Sequence, residues 1–490
     1  MGYTETIPCR RSRTRNSFPH DRSCCGEKLR TGIHPQVQED RARVGMRSAA
    51  ALSRNRIMKR LLHLLVLVLV LSAVMLSHAQ SPSANSEGRG FVNGRWFTGK
   101  DFESRTFYAV RGFLTARKPT GPVRMIDLQG GFVVPAFADA HTHSPSSRHD
   151  LADANRAFLD VGVFYILNAG GNAESANSIR DELGTPATVD GIFAHALFTC
   201  PGGHPKPYLE YLVDRGDLPY SKDKLEGHFF NSVDSVAEVE KVWPTYLATR
   251  PDFVKLVFVF SEFYDTGNGR SLGLRPDVAK AIVGKARRAG LRSGAHIESA
   301  TDFHNAIAAG VDVVMHLPSF PDPLDRQAAY TDKADWDERY TIPAADVKLA
   351  SDRSVTVVTT AASGSAENFE KPNPLASMNE NEKRFRKITI QNLQHLKAAG
   401  VRLAIGSDTT PGAGILTEVN FLRETGVFSN LELLKMWSET TPKVIFPHRK
   451  IGALEEGYEA SFLVLEGDPI RDFSQINKIR MRVKRGSPLK

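Results

Sequence analysis

The sequence predicts an α/β protein built as a (β/α)8 barrel with a small β domain beside it. Three observations point there. Strand-like apolar runs alternate with amphipathic helical segments from about residue 131 onward. Short β-rich pieces punctuated by turn residues stand before that stretch, and the same texture returns after it. Histidines, a lysine and an aspartate recur at the carboxyl ends of the runs, the rim where a parallel barrel gathers its chemistry.

Taken in order, residues 91–134 contain "RWFTG", "TFYAVRGFLTA" and "VRMIDLQGGFVV", as expected of a small sheet. The candidate barrel strands are 132–138, 164–169, 192–199, 253–260, 292–297, 312–317, 355–360 and 402–408. Amphipathic helices separate several of them, such as "RPDVAKAIVGKARRAG" closed by Gly290 and "TDFHNAIAAG" closed by Gly310. "IGALEEGYEASFLVLEGDPI" then resumes the strand-and-turn texture and is expected to rejoin the front strands. The division predicted is 80–130 with 441–490 for the β domain and 131–440 for the barrel. No internal repeat is present.

The chain of 490 residues carries a formal net charge of +8, with 41% hydrophobic and 24% charged residues. That composition is globular rather than disordered. The charge is localised: residues 1–57 carry +7 and 58–79 a further +2, which leaves 80–490 at −1. A nucleic-acid partner is therefore not indicated. "MKRLLHLLVLVLVLSAVMLSHAQ", from Met58, has a cationic start, an apolar middle and a small-residue exit, and reads as a secretory signal peptide cut after Ala79. Its apolar run is short of the roughly 20 residues that span a bilayer. The reading is thus an exported protein, periplasmic or secreted, with no membrane attachment after cleavage. Residues 1–57, Arg- and Ser-rich without apolar periodicity, read as a non-native or disordered extension, with Met58 the true initiator. Cys9, Cys24 and Cys25 precede the cut, so the mature chain keeps only Cys200 and has no disulfide framework. Cys200, at a strand end in "FTCPGG", reads as packing.

The strand ends supply His141 and His143 after the first run, Lys255 in the fourth, His296 at the fifth, His316 at the sixth and Asp408 at the eighth. Side chains alternate along a strand, so the H-x-H of "AHTH" puts both imidazoles on one side. One such pair alone is a weak signal. Four histidines and an aspartate at matching ends form a nitrogen and oxygen ligand set suited to zinc or a similar divalent ion. Lys255 stands in the apolar "DFVKLVFVF". A buried ammonium without a partner is costly, so the lysine snorkels, pairs or is chemically altered. A neutral amine there can take up carbon dioxide as a carbamate, an anionic two-oxygen ligand able to bridge two metals.

"VVPAFADAHTH", "FVKLV", "GAHIES", "VVMHLP", "AIGSD" and "GALEEGYEASFLVLEGDP" together resemble the metal-dependent amidohydrolase superfamily across about 91–470. The set is similar to the binuclear, carbamylated-lysine branch with its prolidase-like, imidazolonepropionase-like and acyl-amino-acid-cleaving members. The resemblance implies a distorted TIM barrel with a flanking β-sandwich built from the N- and C-terminal segments. It also implies two divalent metals, most simply zinc: His141 and His143 holding one with Asp408, His296 and His316 the other, and the Lys255 carbamate bridging them with a hydroxide. Ala136 replaces the usual glycine after the proline, and "LNAGG" stands where many relatives carry an Arg-Asp pair.

Two cations lower the pKa of a shared water and polarise a carbonyl. Asp408 would take the proton and pass it to the leaving nitrogen. The function predicted is hydrolysis of an amide bond in a small molecule, such as a dipeptide or N-acyl amino acid. The alternatives are a mononuclear deaminase, a cyclic amide or lactone hydrolase of the same fold, and a non-catalytic binding protein. His204 in "CPGGHPKPY" and Tyr264 in "SEFYD" are candidate substrate-binding residues. His195 reads as core or support to the site, and His149 and His304 as solvated. H-E-x-x-H, G-x-S-x-G and P-loop motifs are absent.

Overall fold

Every position of the strand that carries His141 is buried, and so is every position of the strand that carries Lys255. In a computed structural model, residues 88–259, 261, 273–318, 336–362, 378–409 and 411–489 are described. The signal-peptide segment, the extension before it and Tyr264 lie outside the described residues. Five strands open the described chain: β1 (Gly88–Phe97), β2 (Phe102–Val110), β3 (Phe113–Thr115), β4 (Val123–Asp127) and β5 (Phe132–Pro135). Ten follow: β6 (Phe137–Thr142), β7 (Val163–Asn168), β8 (Asp190–Phe193), β9 (Leu197–Thr199), β10 (Phe230–Ser232), β11 (Phe253–Phe258), β12 (Arg292–Ile297), β13 (Val313–Val314), β14 (Thr356–Val358) and β15 (Arg402–Ala404). β16 (Phe462–Leu465), β17 (Ile479–Lys484) and β18 (Ser487–Pro488) close it.

The fold is α/β with parallel sheets. β6, β7 and β8 form one parallel sheet, and β10-β9-β11-β12-β13-β14-β15 form another. All six positions of β6, β7 and β11 are buried. Helices cover such strands, so their sequences are continuous apolar runs without alternation. That missing alternation also explains a displaced boundary. The expected strand 132–138 is two strands, β5 in the flanking sheet and β6 carrying His141, separated at Ala136. The expected strand 192–199 is likewise split into β8 and β9 by His195, whose φ is 58°.

The N- and C-terminal strands hydrogen-bond in one sheet of eight, ordered β18-β17-β16-β5-β1-β2-β3 with β4 beside β1. The front and back of the chain therefore do meet, through β16 lying antiparallel to β5. Phe91 and Trp96 of β1 pack on Phe462 of β16 at 5.0 and 5.1 Å between ring centroids. Further in, Trp437 stacks on Phe137 at 3.8 Å and donates its indole N–H to the Ala138 carbonyl at 3.0 Å.

Several helices begin where a side chain satisfies a free N–H group. Ser235 with Glu238 and Ser299 with Asp302 form reciprocal capping boxes, and Gly310 at φ 90° ends the helix Ala300–Ala309. No described helix is long and apolar enough to cross a membrane.

The first and last parallel strands touch near their carboxyl ends. Ala140 N–H donates to the Ile405 carbonyl at 2.9 Å, and the N–H groups of Ser407 and Asp408 both donate to the His141 carbonyl, at 3.1 and 2.8 Å. Gly406 makes this approach possible: a Cβ there would lie 2.7 Å from His141 Cβ and 2.9 Å from its nitrogen.

Candidate metal centre

His141 sits within β6 and His143 one residue past its end. His296 is the penultimate residue of β12, His316 lies two residues after β13, and Asp408 lies four after β15. Asp408 is held at φ 53°, a left-handed conformation that aspartate tolerates better than most residues. Its carboxylate is the meeting point. Oδ1 lies 3.2 Å from His143 Nε2 and 3.4 Å from His141 Nε2, and Oδ2 lies 3.7 Å from His316 Nε2. Ligand atoms of His141, His143 and Asp408 all fall within 4.8 Å of one another. Lys255 Nζ is 3.4 Å from His141 Nε2, and the His296 and His316 rings meet edge-on at 4.2 Å.

Each imidazole is oriented by a bond on its far nitrogen. His141 Nδ1 and His143 Nδ1 face the carbonyls of Met315 and Gly170, both at 2.9 Å, so each donates N–H there and turns Nε2 toward Asp408. His316 Nδ1 contacts Thr360 Oγ1 at 2.8 Å. His296 is turned the other way, with Nε2 3.0 Å from the buried Glu298 carboxylate. This is how metal-binding histidines are set, with the second nitrogen fixing tautomer and direction. His316 Nε2 is buried and has no hydrogen-bond partner. An orphaned buried acceptor beside a carboxylate suits a cation, and the donor set fits a divalent metal.

Electrostatics agree with that geometry. Burial pushes the Asp408 carboxyl up, but the imidazoles of His141, His143 and His316 outweigh it and hold it well below the usual carboxylate range. Burial holds His141 and His296 well below the usual imidazole range and His316 at about 3, so these three are neutral imidazoles. Burial also works against His143, yet its hydrogen bond to Asp408 raises it. Lys255 is only 2% exposed, and desolvation brings its amine down to about 7 against the opposing pull of Asp408. A large fraction of it is neutral near physiological pH.

The structure thus brings His141, His143, Lys255, His296, His316 and Asp408 to one place. His204 joins them, its ring stacked on His296 at 4.7 Å and 18°. The turn "CPGGHP" puts it there: Gly202 takes φ 75°, and Thr199 Oγ1 donates to the His204 carbonyl at 2.6 Å. His195 points elsewhere, bonding Thr249 through Nδ1 at 3.0 Å. His304, read as merely solvated, is half-exposed but pairs with Asp346 at 2.7 Å across two helices. Cys200 is a buried thiol, in line with the packing role expected of it.

Three supporting residues have roles that the sequence does not assign. Asp139 is fully buried and accepts from His141 N (3.1 Å), Ser407 N (3.0 Å) and Ser407 Oγ (2.6 Å), which pins the first strand to the last. Glu298 had a signal, since H-x-E places it on the side of His296. Thr360 had none; a β-branched residue at φ 36° is strained, and its hydroxyl meets His316.

Parallel strands that end on a shared cluster of imidazoles, a carboxylate and a buried lysine define an α/β protein with a candidate metal centre. The chain belongs to the amidohydrolase family, whose model matches residues 132–488. An ochratoxinase of Aspergillus niger is 26% identical over 249 residues, covering 49% of this chain and 46% of the relative. The chain thus spans about half the length of the curated relatives it matches. Among solved structures, a Xaa-Pro dipeptidase with bound methionine superposes with a TM-score of 0.61 at 18% identity, over 82% of this chain and 100% of the other. The A. niger ochratoxinase structure gives 0.61 at 19%, over 83% and 96%. At such identities the superpositions speak for the fold.

Proposed function

We propose that the chain is an exported, metal-dependent amidohydrolase that cleaves the amide bond of a dipeptide or N-acyl amino acid. The observation that carries this is the Asp408 carboxylate shared by the Nε2 atoms of His141, His143 and His316, with Lys255 beside them. The names of the similar proteins, an ochratoxinase and a Xaa-Pro dipeptidase, support the amide class. The apolar segment after Met58 supports export to the periplasm or beyond.

The fold reading that accompanies this is a distorted (β/α)8 barrel of 131–440, flanked by a β-sandwich-like domain from 80–130 and 441–490. Its support is the chain continuity of β8 into β9 through His195 and the backbone bonds from Ile405 and Asp408 back to β6. β5 bridges the two parts.

Two divalent ions, most simply zinc, would be held by His141, His143 and Asp408 on one side and by His296 and His316 on the other, with a Lys255 carbamate between. When bound, they supply Lewis acidity, acidifying the attacking water and polarising the scissile carbonyl. The remaining work falls to side chains. Asp408, kept ionised, accepts the water's proton on a carboxylate oxygen and returns it to the leaving nitrogen, because an unprotonated amine leaves poorly. Neutral Lys255 attacks carbon dioxide through its nitrogen lone pair and loses a proton, which yields the anionic ligand. His204, stacked over His296, is placed to orient the substrate, with Tyr264 assigned the same role from sequence.

Metal-stripped protein, and protein reloaded with zinc or manganese, should be assayed on a panel of dipeptides, N-acyl amino acids, lactones and heterocyclic amines. Metal-dependent release of an amino acid is expected. A preference for lactones would move the reading to an ester hydrolase. One metal per chain with full activity in Lys255→Ala would move it to a deaminase. No turnover of any substrate in either state would leave a binding protein.

A further inference from the structure

A second concave site lies at the other end of the same strands. It is a cleft of about 1070 Å³ at the amino ends of β12 to β15, touched by Arg292, Val313, Thr356 and Arg402, each at or next to the start of its strand. Eight cationic side chains line it against two carboxylates, Asp312 and Glu439, and of the eight Arg449 is already paired with Asp190 and Glu459 behind the wall. Both carboxylates are engaged. Asp312 accepts from the Ser293 N–H at 2.8 Å, and Glu439 pairs with Lys435 at 3.4 Å.

Part of this charge belongs to the helices. In an alternating fold the helix carboxyl termini point to this face, and cations there offset the helix dipoles. Arg287 donates to the Gly310 carbonyl, Arg353 to that of Ile307, and Arg292 to those of Val444 and Ile445. Each guanidinium has five N–H donors, so most remain unspent. Lys280, Arg402 and Lys443 have no hydrogen bond or ion pair among the described residues, and all three are exposed at the cleft. Helix capping does not account for them. Surface lysines and arginines ordinarily sit among carboxylates of their own surface; here they converge on a concavity whose two acids are already taken.

We infer that this cleft is a binding site for a compact, multiply charged anion, one carrying several phosphate, sulfate or carboxylate groups. A concave wall focuses the field of its cations on one small volume, and forked guanidiniums suit oxyanions in particular. The volume exceeds what one inorganic ion needs and matches a molecule of drug-like size. The site is independent of the proposed hydrolase reaction, since it shares no residue with the candidate metal centre.

Pyrene-1,3,6,8-tetrasulfonate serves as the probe, because its sulfonates do not strip metal. Its fluorescence anisotropy is followed on metal-loaded full chain at 150 mM salt, where exposed charges further apart than about 8 Å are screened. Saturable one-to-one binding is expected, weakened about tenfold by Arg402→Glu and by Lys443→Glu, each removing one charge-assisted contact. Thermal unfolding of each variant confirms that it folds, and metal content and any hydrolase activity are expected to stay unchanged. Competition by tripolyphosphate against citrate, run on metal-free full chain because both chelate, then tells a phosphate ligand from a carboxylate one. Absence of saturation at this salt, capture of long polyanions only, or undiminished binding in both variants would overturn the site.

Discussion

Lys255 shows how much one position can be asked to do. Burial lowers its amine to about 7, against 10.5 in the unfolded chain. Between those values the unfolded chain binds the extra proton, so the stability of metal-free protein rises with pH across that window. The burial penalty is felt in full below pH 7. Equilibrium unfolding of stripped protein at pH 6, 7, 8 and 9 should show this rise, and Lys255→Met should flatten it. Bicarbonate labelled with carbon-13 should give a carbamate signal at pH 8 with zinc and none in Lys255→Met. Asp408 has the opposite character, a carboxylate kept charged by its neighbours. Asp408→Asn keeps the shape but not the proton acceptor. It is expected to lower kcat by roughly 10² to 10⁴, measured beside metal content, since the same residue is a candidate ligand.

At the scale of the element, the exits of β11 and β12 are tied by a single carboxylate. Asp302 accepts from Ser261 N and Oγ, at 2.7 and 2.6 Å, and from Glu298 N and Ser299 N, both at 3.0 Å. It thereby caps its own helix and fixes Glu298, which in turn orients His296. Ser299→Ala and Ser235→Ala remove equivalent caps, and each should lower stability by about 1 kcal/mol. Only Ser299→Ala should also quicken zinc loss to a chelator, because only that cap stands behind a ligand. The carboxyl ends of strands were legible from residue type alone, and every candidate ligand among the described residues arrived at the cluster. Strand limits were not, because runs buried on both faces carry no alternation to mark where β5 ends and β6 begins. The break at His195 was hidden for the same reason, with no glycine or proline to announce it. Thr360 supports His316 from a strained backbone that no local pattern encodes, whereas Asp139 was visible as D-x-H and only its partners were missing.

Across the whole molecule, a buried charge network holds the flanking sheet to the parallel strands. Asp190, at the start of β8, receives Lys484 at 2.6 Å, Arg449 at 2.6 Å and Arg485 at 2.8 Å. Arg449 also reaches Glu459 at 2.6 Å, whose other oxygen accepts from Tyr165 at 3.0 Å. Lys484 is fully buried and donates as well to the carbonyls of Thr185 and Thr188. Breaking such a network strands groups away from water. Lys484→Met should cost about 3 to 5 kcal/mol, read as a lower denaturant midpoint, with zinc per folded chain unchanged.

The bonds that join Asp408 and Ser407 to the carbonyl of His141 have one more consequence. Candidate ligands 267 positions apart, His141 and Asp408, would have to share one coordination sphere, so a half-folded chain would have no place to put an ion. Metal capture at the proposed centre would then belong to the last stage of folding, with its free energy drawn from the same event. Because nitrogen and oxygen sites rank divalent metals by an intrinsic order rather than by biological need, the ion such a centre keeps would be set by which ions are at hand where the chain finishes folding. Refolding the stripped chain in competing zinc, manganese and copper, then weighing what is retained, reads that choice directly.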